Sequence, residues 1–248
     1  MRSERELLAR TSGEAWASAR FLDLGFGEQP WTTLESARAL RAINPHLEVI
    51  GVELDPHRVC AAERSADALT HFVQGGFDSL GALGPARLVR SMNVLRSYPP
   101  DAVRRIHGIL GGALLPGGLL VEGSADPSGA LLGAHLLRAA GPQLVREGLL
   151  LFTDFRRGFA PIQLRDWLPR DLRRRVVPGE AIHRFFAEWT QAWEESRAAG
   201  VREPREAFAA SAVRLAARTA GVSADPWLLE RGYLVWRPPG GVPLPDGS

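Results

Sequence analysis

FLDLGFGEQPWTTLE, Phe21 to Glu35, is the stretch whose reading decides the fold. Phe21, Leu22 and Leu24 form a short apolar run, the pattern of a parallel strand covered by helices on both faces. Gly25 and Gly27 interrupt it at once, and Pro30, Thr32 and Thr33 follow as the opening of a helix. Residues without a side chain let backbone N–H groups approach a ligand closely, and the helix that follows turns its positive end toward the same place. The stretch predicts a strand, a ligand-holding turn and a helix.

A dinucleotide fingerprint needs a third glycine three residues after the second, where helix packs closely on strand, and that place is Pro30. A nicotinamide cofactor is disfavoured on that ground. Asp23-Leu24-Gly25-Phe26-Gly27, with its acid two places before the first glycine, instead resembles the first motif of class I S-adenosyl-L-methionine (SAM)-dependent methyltransferases. The resemblance implies that this loop wraps the methionine half of SAM, with Asp23, Gly25 and Gly27 as contacts.

The following segments take up the same order. Leu47 to Leu54, LEVIGVEL, is a second strand ending on Glu53, 26 residues after Gly27. A carboxylate at such a tip accepts hydrogen bonds from ribose hydroxyls, and Leu54 can lie against an adenine; the alternative is a solvated strand end. Asp55-Pro56 starts the next helix, which runs through Val59, Ala62 and Leu69. Phe72 to Asp78, FVQGGFD, is a third strand running into a glycine pair. The resemblance implies that adenine is received there, by Gly76 and Phe77. The family often places an aspartate where this chain has Gly76, so the Phe77 N–H, the Phe77 ring and Asp78 all stay open as partners.

Arg87 to Val94, RLVRSMNV, is a fourth strand. The amide of Asn93 can donate to one group and accept from another, and the resemblance makes it a contact of both cofactor and substrate, although capping of the following turn is an equal reading. Pro99-Pro100-Asp101 opens a helix with Val103, Ile106, Leu110 and Leu114 at helical spacing, and Leu115-Pro116-Gly117-Gly118 leads into a fifth strand, Leu119 to Glu122. The likeness covers Phe21 to Glu122, and its FLDLGFG, GVELD, GGFD, MNVL and PGGLLVEG segments resemble uncharacterised bacterial methylases. The chain lacks the N-P-P-Y tetrad that marks methylation of exocyclic base or glutamine nitrogens.

Past Glu122, composition predicts a helix over Leu131 to Ala140, a sixth strand over Leu149 to Phe155, and a seventh, antiparallel strand over Gly232 to Arg237. Between the last two lie two helices, one with Ile182, Phe185, Phe186, Trp189 and Trp193 on one face, the other running from Pro204 to Gly221 with Phe208, Ala212, Leu215 and Thr219 aligned. The expected architecture is a doubly wound α/β fold with a mostly parallel, seven-stranded Rossmann-like sheet. Residues 1–155 form a SAM-binding core, 156–231 a helical insertion that walls the substrate or merely packs, 232–237 the returning strand, and 238–248 a disordered tail rich in Pro and Gly.

Composition narrows the function. The 30 basic residues are all arginine, against 28 acidic, and a formal net charge of +2 is too small for a nucleic-acid footprint despite a pI near 9.3. Cys60 is the one cysteine and six histidines are scattered, so neither a disulfide framework nor a metal centre is expected. Charged residues among the first ten, with Ser3 and Glu6 spaced as a capping box, predict a short helix rather than a targeting segment. The longest apolar run, Gly108 to Val121, is too short to span a membrane, and a cytoplasmic location is expected. Nucleophile-elbow, P-loop and zinc-deaminase patterns are absent.

The resemblance thus implies methyl transfer from SAM, to a small molecule rather than nucleic acid, because Glu180, Glu188, Glu194 and Glu195 interleave with the basic residues of the insertion. Asn93 and Glu122 are the catalytic candidates; a base is optional, and the nearest candidates for one are Glu122 at the tip of the fifth strand and Asp154, with His183 a distant third. Arg170, Arg173, Arg174 and Arg175 suit a phosphate, a carboxylate, RNA or plain solvation. An RNA methyltransferase and a non-catalytic SAM-binding partner are the alternative functions. The oligomeric state is not legible.

Overall fold

The computed structural model describes residues 14–141, 143–156 and 158–240. The Ser3–Glu6 capping box and the tail beyond residue 240 lie outside them. A short helix α1 (Glu14–Ala17) leads into β1 (Arg20–Leu24), α2 (Trp31–Arg41), β2 (Val49–Glu53), α3 (Pro56–Ala62), β3 (Thr70–Gln74), β4 (Ala86–Met92), α4 (Ala102–Gly112), β5 (Leu114–Ala125), β6 (Leu131–Ala140) and β7 (Gln143–Thr153). Helices α5 (Ala181–Ala198), α6 (Pro204–Ala216) and α7 (Pro226–Glu230) precede β8 (Tyr233–Trp236). The strands hydrogen-bond in the order β3-β2-β1-β4-β5-β6-β7-β8, an α/β fold with a mostly parallel sheet. Among the described residues no helix is long and apolar enough to cross a membrane.

Two compact units emerge. The first comprises the described residues up to Val94, Asp101–Glu122 and Leu137–Val145; the second comprises Leu95–Pro100, Gly123–Leu136 and the chain from Arg146 on. In the first, β1 pairs in parallel with β2 (Leu24 opposite Val52) and with β4 (Leu24 opposite Ser91), and β2 pairs in parallel with β3. Phe21, Leu22, Asp23 and Leu24 are buried without alternation, as a central parallel strand requires. Phe21, Ala37, Leu47 and Val49 form one core cluster, and Phe26, Val59, Ala62 and Phe72 another. Asp55 caps α3 by accepting from the His57 N–H at 2.8 Å, with Pro56 in the first turn.

Three expectations are corrected by the strands that follow. Leu131–Ala140 is the strand β6, not a helix, β7 begins at Gln143 rather than Leu149, and the sheet has eight strands rather than seven. Five residues link β5 to β6 and two link β6 to β7. Such connections are too short for a parallel crossover, so the three strands form an antiparallel meander. The first turn is built by Asp126, whose carboxylate accepts from the Ser128 N–H, the Ser128 hydroxyl and the Leu131 N–H at 2.8 Å, while Gly129 supplies a φ of 70°. Leu and Ala favour a helix in isolation, but Gly133–Leu137 at the centre of β6 is buried without a break, and Gly123 and Gly133 sit where a side chain would collide with the neighbouring backbone. Pairing partners override local propensity here.

The second unit packs its core from α5, α6 and the sheet. Phe185, Phe186, Trp189 and Phe208 are fully buried, Phe185 stacks on Trp236 with centroids 4.6 Å apart, and the Trp189 indole N–H donates to Ser211 Oγ at 3.1 Å. The aromatic stripe expected to wall off a substrate pocket is thus core packing for these residues. β8 pairs antiparallel with β7, Leu234 opposite Leu151, as its sequence predicts. On its other side, Val222 bridges Trp236, the Ser223 N–H donates to Val235 O at 2.9 Å, and the Arg237 N–H donates to Gly221 O at 2.8 Å.

Candidate functional site

The carboxyl ends of β1, β2, β3 and β4 carry the predicted cofactor residues, all in the first unit. The glycine turn is held in two places. Gly25 donates its N–H to Val52 O at 2.7 Å, and Gly27 donates its N–H to Glu53 Oε2 at 3.0 Å. Both glycines have positive φ, 68° and 82°. Their surroundings differ: a Cβ on Gly25 would meet Val94 Cγ2 at 2.5 Å, whereas one on Gly27 would meet no protein atom within 4 Å. Gly25 is glycine because protein fills the space, and Gly27 leaves its space open to a ligand.

Glu53 does more than end a strand. Its Oε1 accepts from the Leu54 N–H at 2.9 Å and, more weakly, from the Asp55 N–H at 3.4 Å, and Arg58 lies 3.9 Å away. At 8% exposure, this carboxylate closes the tip of β2 onto the glycine turn. Beside it Leu54 is 65% exposed, an unusual position for a leucine. A Cβ on Gly76 would stand 3.1 Å from Leu54 Cδ2, so Leu54 and the glycine pair after β3 are neighbours. The Ser79 hydroxyl donates to Gly76 O at 2.8 Å and steadies that turn, which continues as a 3₁₀ segment over Phe77–Leu83.

Asp23 is committed elsewhere. Its two oxygens accept from Arg90 Nε at 2.8 Å and Nη2 at 2.6 Å, and from the Thr33 hydroxyl. The carboxylate is buried and locks β1, β4 and the first turn of α2 together, so it positions the glycine turn from beneath. Asp23 and Arg90 are direct register partners on adjacent strands, the signal by which the pair could have been found. Asn93, one residue past β4, is exposed and adopts φ 63°, a left-handed conformation that asparagine tolerates better than most residues.

Glu122 is 1% exposed on β5 and pairs with His107 Nε2 of α4 at 3.1 Å. Asp154 and His183 belong to the second unit. Burial alone would raise the Asp154 carboxyl, but the N–H and guanidinium of Arg156 hold it below its ordinary value. One residue went unremarked in the sequence: Trp31, which follows Pro30 directly and is 65% exposed at the N-terminus of α2. An aromatic immediately after the glycine turn was its signal.

No protein-family model matches the chain, and no curated protein matches it. Solved structures resemble it in part. LepI in complex with SAM is 22% identical, over 51% of this chain and 31% of that one, with a TM-score of 0.39. A putative methyltransferase from Thermobifida fusca is 24% identical over 52% of this chain and 54% of that one, with a TM-score of 0.37. Human N-acetylserotonin methyltransferase in complex with SAM is 18% identical over 52% and 36%, with a TM-score of 0.35. The chain thus spans between a third and a half, roughly, of these proteins' own lengths.

Among the described residues, no group of three or more His, Cys, Asp or Glu side chains could hold a metal ion. What the strand tips offer is a backbone cradle at Gly27, a buried acceptor at Glu53, an exposed apolar surface at Leu54 and an amide at Asn93. Such a set fits a ligand with hydroxyls beside a flat apolar ring.

Proposed function

We propose that this chain binds SAM across the tips of β1, β2 and β3 and transfers its methyl group to a small molecule. The observation that carries the proposal is the bond from the Gly27 N–H to Glu53, which makes the glycine turn and the acidic strand tip one cradle. Gly27 keeps the space beside that cradle free of protein, as a bound methionine moiety requires. Glu53 would accept from ribose hydroxyls with lone pairs not spent on backbone N–H groups. Leu54 and the Gly76–Phe77 turn would cover the adenine faces, and Trp31 stands at the mouth of the turn. Bound SAM would supply a methyl on a positively charged sulfur, to be taken in line by an acceptor lone pair as the C–S electrons return to sulfur.

The residues have little else to supply, since the leaving group is already activated; alignment and exclusion of water would provide the rate. Asn93 suits alignment, because its amide presents a donor and an acceptor at the tip of β4. Glu122 has no place in this scheme as a base, being enclosed with His107. Calorimetry with S-adenosylhomocysteine tests the reading: the wild type should bind and Gly27→Val should not. Absence of wild-type binding would overturn the assignment of SAM, and full affinity in the variant would overturn its placement. The preference for a small acceptor is tested by gel shifts with RNA across a salt series, where tight and steeply salt-dependent binding would contradict it.

A further inference from the structure

The second unit gathers arginines that the acids around them do not neutralise. After the 3₁₀ segment Pro161–Trp167, the N–H groups of Leu172 and Arg173 both donate to Pro169 O at 3.0 Å. This tight coil stands Arg170 and Arg173 one turn apart, on the same side. Arg170 Nε donates to Tyr98 O at 2.8 Å, and from that same short segment Arg96 lays its guanidinium over the Trp167 ring, 4.5 Å from the centroid. Two tethers therefore bring Arg96, Arg170 and Arg173 together. Between them in sequence, Asp171 is fixed by Arg146 Nη2 at 2.7 Å and His135 Nε2 at 2.8 Å, which makes the coil a rigid mount. Arg175 turns away to Glu180, bonding both carboxylate oxygens at 2.7 Å.

The guanidiniums of this group are poorly provided for. Arg96 Nη1 and Arg170 Nη1 are buried with no hydrogen-bond partner among the described residues. Asp166 is the acid whose charge acts on Arg96, and it also lies 3.6 Å from Arg165. Burial, and then the neighbouring charges of Arg173 and Arg170, hold Arg96 below its ordinary value despite Asp166; burial, then Arg174 and Arg173, do the same to Arg170. Crowded like charges oppose folding, and an anion seated on the exposed parts of these half-buried guanidiniums offsets the repulsion. The planar fork of arginine matches the two oxygens of a carboxylate or phosphate.

We propose that Arg96, Arg170 and Arg173 form a binding site for the acidic group, a carboxylate or a phosphate monoester, of a small molecule. The anion site itself rests on the arginines alone.

The test is calorimetry and thermal unfolding of the full chain with inorganic phosphate and with succinate, at ionic strength matched by sodium chloride. At least one anion should bind and raise the unfolding temperature, with phosphate the stronger if the natural group is a phosphate and succinate if it is a carboxylate. Arg170→Gln and Arg173→Gln should each weaken that binding at least tenfold, as should Arg96→Met, which keeps an apolar stem against Trp167. Without anion, Arg173→Gln should unfold no lower than the wild type, because it removes a repelling charge; a merely structural arginine would lower it. No binding beyond that of chloride, or wild-type affinity in both glutamine variants, would overturn the site. S-adenosylhomocysteine is measured on the same samples: its binding without anion binding removes the anion site alone, and anion binding without it removes the SAM reading and leaves the anion site standing.

Discussion

Replacing Glu53 by glutamine probes the cradle most directly, because the two side chains share a shape and differ in one acceptor. The carboxylate now serves the Gly27 N–H at 3.0 Å with one oxygen and the Leu54 N–H at 2.9 Å with the other. An amide has a single oxygen. Whichever way it turns, its NH₂ group faces either the Gly27 or the Leu54 N–H, donor against donor. One hydrogen bond to a charged group is lost, worth about 1.5–3 kcal/mol, and the surviving bond loses its charge assistance. Water at this partly accessible tip recovers some of that, so urea unfolding of Glu53→Gln should show a loss of about 2 kcal/mol with an unchanged m value. The ribose hydroxyls would lose an acceptor as well, and S-adenosylhomocysteine affinity should fall roughly 10- to 150-fold, the same 1.5–3 kcal/mol expressed as a ratio. Stability within about 0.5 kcal/mol of wild type, with unaltered affinity, would refute both roles and leave a solvated strand end. The backbone bonds of Glu53 tie the ligand role proposed for it to the stability of the fold.

Gly27→Ala and Gly117→Ala form a matched pair, since both glycines have positive φ (82° and 85°) with no atom within 4 Å of an added Cβ. Each should cost about 1–2 kcal/mol of stability, while only Gly27→Ala should weaken S-adenosylhomocysteine binding in calorimetry; equal affinities would remove Gly27 from the site. Arg90→Met strands the buried Asp23 carboxylate and should cost about 3–5 kcal/mol in urea unfolding, partly restored by adding Asp23→Asn; a loss below about 1 kcal/mol would show that Asp23 does not depend on the pair. Burial alone would raise the Asp126 carboxyl, but bonds from Ser128, Leu131 and Ala130 hold it below its ordinary value. A depressed folded value contributes stability above the unfolded pKa, near 4, that is lost as pH falls through the folded one. The wild type should therefore lose stability below about pH 4 more steeply than Asp126→Asn in acid titrations followed by circular dichroism, and parallel acid limbs would refute the turn's role.

The first half of the fold was legible because each strand there ends on a residue that cannot continue it. Gly25, Asp55-Pro56 and Gly75-Gly76 punctuate the runs, and in β1 and β2 burial on both faces removes the alternation that would confuse the reading. Leu131–Ala140 was illegible for the opposite reason. Leu and Ala suit a helix, and what makes them a strand is the turn built by Asp126 and the close backbone approach at Gly123 and Gly133, neither of which periodicity reveals. In the site, the positions of Gly27, Glu53 and Leu54 followed from order and spacing. Arg90 did not, since its partnership with Asp23 depends on register between strands distant in sequence. The aromatic stripe of α5 had the pattern of either a pocket or a core, and only the packing of Phe208 and Trp236 against it separates the two.

The bonds that Gly221 and Ser223 make to β8 bear on how this protein meets copies of itself. A strand at the border of a sheet ordinarily presents bare backbone groups that invite another chain to extend the ladder, the route to domain swapping and fibrils. Here the chain has occupied that border itself, with the Val235 carbonyl and the Arg237 amide already engaged and Pro238 following at once. A second molecule could add a strand beside β8 only by first displacing Gly221–Ser223, so self-assembly by sheet extension is closed off on this side. Substitutions that loosen that segment, Gly221→Val foremost because its side chain would collide with the Arg237 carbonyl, should surface as aggregation on storage before they surface as lost binding.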